Sequence, residues 1–302
     1  MTVQAPADRS VWRVRARTLP LGPVPLLMGV VNVTPDSFSD GGAFLDPDRA
    51  VEHGLALAAA GASILDVGGE STRPGADPVP LEEELERVIP VVEALARSTS
   101  AAVSIDTTKL EVARAALDAG ASIVNDVSAL RFAPDLAELA AETGAGLVLM
   151  HMRGEPRTMQ SDPRYDDLFT EIGGELEAAA ERARVAGVAR EAIVLDPGIG
   201  FGKTAADSLR TLAGLDRLAA AGYPLLVGHS RKSFLDPERR RAAHDRLPES
   251  LAAGLLAALG GAAILRVHDV EEHARALAIY ARWREAAESM GGRAVEETGA
   301  EP

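Results

Sequence analysis

Short, nearly continuous apolar runs recur along this chain at 26–33, 63–67, 103–107, 123–127, 147–150, 193–195, 225–227 and 264–267. Such runs, rich in β-branched residues, mark strands buried on both faces, as in parallel sheets. Between them the pattern turns helical, over 48–60, 81–97, 109–119, 134–142, 167–186, 205–221, 249–259 and 271–289. Asp48, Pro80 and Pro134 signal first turns. Gly61, Gly120, Gly144 and Gly222 each follow an Ala/Leu-rich helix and precede a strand, where a helix C-terminus needs a left-handed residue. Strict alternation with short turns from helix to strand predicts a parallel sheet whose crossovers are helices. Eight units fill the length, so the expected fold is α/β, a single (β/α)8 TIM barrel rather than an open doubly wound sheet.

The ends read differently. Apolar and basic residues alternate over 11–15, as a half-buried strand requires, so 1–20 is read as a short extension that closes the barrel floor as a strand or hairpin. The barrel is assigned to 21–290, and the polar, glycine-bearing stretch 291–302 is expected to be a disordered tail. The helix at 249–259 has no polar stripe; on the outside of a barrel that predicts a subunit interface, and hence a homodimer. Four βα loops are long, at 34–47, 70–80, 153–166 and 230–248, as functional loops tend to be.

Composition narrows the function. A chain of 302 residues with 47% hydrophobic content buries one large core without a second domain. No stretch approaches the roughly 20 apolar residues that cross a bilayer. The start, 1–10, lacks the basic-then-apolar order of a signal peptide, and the protein is read as cytoplasmic. With no cysteine there is neither disulfide nor thiol catalysis. A net charge of −14 is the wrong sign for a general nucleic-acid binder. The only lysines are Lys109, Lys203 and Lys232; the last two fall just past strands six and seven, where cations would focus a field on an anionic ligand or serve as partners for neighbouring Asp groups.

The strands end on groups that an inert core would not choose: Asn32, Asp66, Asp106, Asn125 with Asp126, His151, Asp196, His229 with Ser230, and Arg266 with His268. Polar groups gathered at one end of eight such strands mark a barrel mouth, where these enzymes keep their chemistry. Asp106 and Asp196, with Asn125 between them in the chain, match an aminopyrimidinone edge, which offers N–H groups to carboxylates and acceptors to an amide or to Lys232. An internal Asp–Arg or Asp–Lys network is the alternative use of the same groups. Arg73, Arg231, Lys232, Arg266 and His268 form a cationic set of the kind that holds phosphates. The run from Asp196 to Lys203 carries three glycines but lacks Walker A spacing, and is read as a tight turn that lets backbone approach a flat ligand. No metal cage and no Ser-His-Asp arrangement is apparent; a metal acting here would be Mg2+, shared with substrate phosphates and held by few protein oxygens such as that of Asn32. His151, His229 and His268, taken singly, read as structural histidines.

These motifs carry a resemblance. The segment from Met28 through Asn32-Val33-Thr34-Pro35-Asp36-Ser37-Phe38-Ser39-Asp40 to Gly42 closely resembles the first signature of dihydropteroate synthases, and Asp66-Val67-Gly68-Gly69-Glu70-Ser71-Thr72-Arg73-Pro74-Gly75 resembles the second. Ser104-Ile105-Asp106-Thr107, Asn125-Asp126, Leu149-Met150-His151-Met152, Asp196 to Lys203, Ser230-Arg231-Lys232-Ser233-Phe234 and Arg266-Val267-His268-Asp269 follow in the family's order, so that the resemblance spans about 25–285. The outer part of the loop at 236–248 matches no motif.

The resemblance implies an enzyme, a transferase that joins p-aminobenzoate to 6-hydroxymethyl-7,8-dihydropterin diphosphate, giving 7,8-dihydropteroate and diphosphate in folate biosynthesis. It implies that Asp106, Asn125, Asp196 and Lys232 grip the pterin, with Met150, Phe201 and Gly228 lining its slot. Asn32, Arg73, Arg266 and His268 would hold the diphosphate, Asn32 partly through Mg2+. Thr72, Pro74, Phe38 and Ser233 would shape the p-aminobenzoate subsite, with a helix start after Ser233 as the seat of its carboxylate. Catalysis would rest on Lys232, Asp106, Asp196, Arg266 and His268. Two competing readings are a pterin-dependent methyltransferase, which needs no diphosphate site, and a silent pterin-binding paralogue.

Overall fold

The computed structural model describes residues 10–34, 47–71, 76–155, 157–161, 163–238 and 240–296. A hairpin of β1 (Val11–Val14) and β2 (Arg17–Pro20) precedes β3 (Leu26–Asn32), α1 (Pro47–Ala59), β4 (Ile64–Gly68), α2 (Leu81–Ser98), β5 (Ala102–Asp106), α3 (Leu110–Asp118), β6 (Ile123–Asp126), α4 (Leu136–Thr143), β7 (Gly146–Met150) and α5 (Leu168–Val185). There follow β8 (Ile193–Asp196), α6 (Ala205–Ala213), α7 (Leu215–Ala219), β9 (Leu226–Gly228), α8 (Leu247–Leu259), β10 (Ile264–Val267) and α9 (Val270–Glu296). The eight strands β3 to β10 pair in parallel in the order β8-β7-β6-β5-β4-β3-β10-β9, and a bridge from Leu195 to Leu225 closes the ring. This is the expected (β/α)8 barrel.

Alternation along the strands sorts the core into two shells. Outward residues such as Val31, Leu65, Val103, Val124, Leu147 and Leu265 meet the helices. Inward, Met28, Ile64, Ala102, Ile123, Val148, Val194, Leu226 and Ile264 form one apolar layer from all eight strands, which Trp12, Val14, Leu19 and Leu21 of the N-terminal segment cover from below. Trp12 is fully buried and its indole N–H donates to Ala192 O at 2.9 Å. Arg15, at the hairpin turn, donates to Leu117 O at 2.8 Å and Ala121 O at 3.1 Å, at the C-terminal end of α3, where a cation is favoured. The expected floor plug is present as a hairpin.

Gly61, Gly120, Gly144 and Gly222 all have positive φ, as the repeated junction predicted. Two elements differ from expectation. The helix foreseen over 205–221 is broken at Gly214, where a Cβ would lie 2.4 Å from the Phe169 ring; close packing on α5 leaves room for glycine only. The last helix runs to Glu296, into the stretch read as a tail from 291, and the remaining residues of that stretch lie outside those described.

Candidate active site

Two residues beyond the apolar layer, each strand again points inward, and here the layer is Val30, Asp66, Ser104, Asn125, Met150, Asp196, Gly228 and Arg266. One further step adds Asn32, Gly68 and Asp106, from the first three strands of the ring. Polarity switches on at one level of the barrel. That level is the candidate site.

Arg266 organises one side of it. Its Nε donates to Asp66 Oδ2 at 2.6 Å and its Nη2 to Asp106 Oδ2 at 2.7 Å. Asn125 Nδ2 donates to the same Asp66 oxygen at 3.0 Å. Burial pushes the Asp106 carboxyl up to about 7, against the pull of Arg266 and with a further push from the Asp66 charge. Burial works against the Arg266 cation too, but Asp66 and Asp106 hold it on the charged side. Asp66 Oδ1, Asp106 Oδ1 and Ser104 Oγ are buried and accept or donate no hydrogen bond among the described residues. Buried acceptors left open in this way call for donors from a ligand or water.

The opposite side is built on Asp196. Its Oδ1 accepts the Gly198 N–H at 2.7 Å, and burial raises its pKa against the pull of Lys232. Burial in turn lowers Lys232 to about 8, with Asp196 opposing. Lys232 Nζ donates to Ile199 O at 2.6 Å and stands 4.4 Å from the centre of the Phe201 ring. Met150 joins Val127, Met152 and Met159 in a small apolar cluster against which Phe201 packs. At Gly228 a Cβ would lie 3.6 Å from Lys232 Nζ and 3.9 Å from the Arg266 Cβ, so the missing side chain keeps a slot open between the two cations.

The rim holds the remaining groups. His268 Nδ1 lies 3.1 Å from Ser230 Oγ, and its backbone N–H donates to the same oxygen at 3.3 Å. Asn32 ends β3, half-buried. Beside Asp106 opens a cleft of about 250 Å3, lined by Glu70, Ser71, Pro78, Thr107, Lys109, Val127 and Phe132 among others. At its base Lys109 is hydrogen-bonded to Glu70 and Glu84, and Glu70 also accepts the Val79 N–H at 3.2 Å. Phe38, Thr72, Arg73 and Pro74, expected at the site, lie outside the described residues.

Several expectations change. Arg231 does not join the cationic set: its Nε donates to Asp269 Oδ2 at 2.9 Å and its Nη2 to Asp269 Oδ1, while a positive φ and a bond from its N–H to Ser250 hold the turn. Lys203 is turned inward, 2% exposed, rather than toward an anion at the mouth. No α-helix starts after Ser233; a three-residue 3-10 turn, Ser233–Leu235, ends where Pro237 forces extended backbone on Asp236. His151 and His229, read from the sequence as structural, are buried, and burial lowers their pKa to about 4 and about 3. Asp66 was legible as a strand-end carboxylate but not as the hub of the network; its place two residues after Ile64, on the inward phase, is the signal that finds it.

Comparison with known proteins agrees with this architecture. A family model described as pterin binding enzyme matches residues 28–268. The dihydropteroate synthase of Escherichia coli (strain K12) is 48% identical over 255 residues, covering 84% of this chain and 90% of that protein. A structure of Xanthomonas albilineans dihydropteroate synthase with 4-aminobenzoic acid superposes with a TM-score of 0.84 at 46% identity, covering 91% of this chain and 98% of that one. The same organism's enzyme in complex with 7,8-dihydropteroate gives 0.80 at 44% identity, covering 90% and 98%.

Proposed function

This chain belongs to the pterin-binding enzyme family, among the dihydropteroate synthases, and we propose that the polar layer of its barrel is where it joins its two substrates. It is a transferase that condenses p-aminobenzoate with 6-hydroxymethyl-7,8-dihydropterin diphosphate, giving 7,8-dihydropteroate and diphosphate. Identity to curated synthases over most of the chain favours this over the methyltransferase reading. The observation that carries the placement is the set of open buried oxygens on Asp66 and Asp106, at the same end of the barrel as Asn125, Asp196 and Lys232.

A pterin edge supplies the N–H donors those carboxylates lack, and its ring carbonyl and nitrogens accept from Asn125 and Lys232. Asp106, Asn125, Asp196 and Lys232 grip the ring; Met150, Phe201 and Gly228 shape its slot. Arg266 and His268, with Arg73, take the diphosphate; the two bonds of Arg266 to carboxylates use two of its five N–H groups. Thr72, Pro74, Phe38 and Ser233 complete the p-aminobenzoate side. In the reaction the arylamine nitrogen attacks the pterin methylene carbon, the carbon–oxygen bond breaks, and diphosphate leaves with the electron pair. The nitrogen then loses its proton to water. Asp106 and Asp196 stabilise positive charge developing on the pterin, and Arg266 and His268 the negative charge on the leaving group. A neutral arylamine needs no strong base, in keeping with a site built from ring-gripping and anion-binding groups.

Mg2+ belongs to the same proposal. Asn32 offers a hard amide oxygen at the mouth, and among the described residues no cluster of three or more His, Cys, Asp or Glu side chains forms a cage. That donor set fits an ion held mainly by substrate oxygens. Bound there, the ion would supply positive charge to the diphosphate.

We also assign a homodimer, built on α8 and α9, where Leu256, Leu259, Ile279 and Trp283 are more than half exposed. The cytoplasm is the compartment proposed. No described helix is long and apolar enough to span a membrane. Diphosphate release on mixing the two substrates tests the function directly: Lys232→Ala and Asp196→Ala should fold and release none, whereas wild-type rates in either would reject the placement.

A further inference from the structure

The turn between β8 and α6 is held in an unusual way. Five consecutive carbonyls, from Gly198 to Gly202, each accept from a side chain. Lys203 Nζ donates to Gly198 O at 3.0 Å and Phe201 O at 3.3 Å; Lys232 Nζ donates to Ile199 O at 2.6 Å. Gln160 Nε2 donates to Gly200 O at 2.6 Å, and Tyr165 Oη to Gly202 O at 2.7 Å. Gly198, Gly200 and Gly202 have φ of 64°, 83° and 59°, a left-handed backbone that glycine adopts at little cost. The turn also lies hard against β7's exit: a Cβ at Gly198 would fall 1.9 Å from His151 O, and one at Gly202 2.4 Å from Arg153 O.

Lys203 is the residue that spans this turn. It is buried, and its third contact is His151 Nδ1 at 2.9 Å, whose Nε2 lies 3.3 Å from Glu175 Oε2. An ammonium has three donors, and all three are used. The turn it closes carries the Gly198 N–H that orients Asp196, the carbonyl on which Lys232 rests, and the Phe201 ring. Lys203 makes no hydrogen bond to a side chain assigned above to touch substrate; it reaches the site through the backbone of the turn, and its charge also favours the ionised form of Asp196.

We infer that Lys203 is a positioning residue for the pterin slot, acting by holding the Gly198 and Phe201 carbonyls and so fixing Asp196, Lys232 and Phe201 relative to one another. The inference rests on the pterin placement proposed above. A lysine that only stabilised the fold would weaken both substrates alike, or neither.

Lys203→Met, Lys203→Arg and Tyr165→Phe decide it, each first checked by circular dichroism. Fluorescence titration with 6-hydroxymethylpterin should show a Kd raised tenfold or more in Lys203→Met, with the KM for p-aminobenzoate at saturating pterin diphosphate changed less than twofold. Lys203→Arg, which keeps charge and donors, should recover most of the loss. An unchanged pterin Kd in folded Lys203→Met, or equal losses for the two substrates that arginine does not restore, overturns the inference. If Lys203→Met does not fold, Tyr165→Phe decides: a Kd raised threefold or more supports the inference and an unchanged one overturns it. Wild-type protein that binds the pterin yet makes no dihydropteroate would count against the proposed function alone, because the titration does not depend on turnover.

Discussion

Asp66 Oδ2 accepts both the Arg266 Nε–H at 2.6 Å and an Asn125 N–H at 3.0 Å, so one fully buried oxygen ties strands on two sides of the barrel. Arg266, bonded in turn to Asp106, is thereby held across the mouth rather than free at its rim. Removing the hub leaves its partners buried without it.

Asp66→Asn should keep the shape of the contact but lose its charge, and Asp66→Ala should lose both. Breaking a buried charged pair at one partner costs about 3–5 kcal/mol; with Arg266 partly exposed and still bonded to Asp106, the lower end is expected for Asp66→Ala. Urea unfolding measures it. Unchanged stability in the alanine variant would mean that Arg266 needs no anchor here.

Arg266→Ala should raise the KM for the pterin diphosphate strongly while leaving that for p-aminobenzoate nearly as it was. Steady-state kinetics in each substrate separate the two. Unaltered kinetics would place the diphosphate elsewhere.

The kcat/KM profile should rise as pH passes about 7, where Asp106 ionises, and fall as it passes about 8, where Lys232 loses its proton. Asp106→Asn should remove the acid limb from whatever activity remains. Stability follows the same shift with the opposite benefit. Asp106 has a folded pKa raised above its unfolded value of 3.8, so its effect favours the fold below about pH 4 and is lost as pH rises toward about 7. Above pH 7, Asp106→Asn should therefore unfold at higher urea than wild type, provided Arg266 keeps its bond to Asp66.

Trp12→Ala should destabilise the barrel by about 3–5 kcal/mol, the cost of truncating a large buried aromatic, and leave both KM values unchanged. The hairpin touches the apolar layer and not the polar one. A large rise in either KM would show that floor and mouth are coupled.

Leu256→Glu on α8 should shift a sedimenting dimer to monomer without altering the circular dichroism spectrum, since Leu256 is more than half exposed. Sedimentation equilibrium distinguishes the two states. A dimer that survives the change is built on another face.

Much of this was legible in the chain because the signals are local. Strands buried on both faces announce themselves in composition, and all eight fall within a residue or two of the apolar runs. What sequence could not supply was direction. Arg231 and Lys232 are neighbours, yet one turns to Asp269 and the other to Ile199 O. Lys203 looked like a mouth cation and proves to be a brace beneath the turn. The break at Gly214 depends on Phe169, an aromatic on another helix, and no window of local sequence contains both.

The Trp12 hairpin has a kinetic corollary. A vessel stoppered at one end has a single doorway, and whatever rests deepest was first in and is last out. On the proposed placement, a flat ring lying at the depth of Asp66, Asn125 and Asp196 would enter ahead of any partner stacked above it. The order of entry would then be set at the end of the barrel that Trp12 covers.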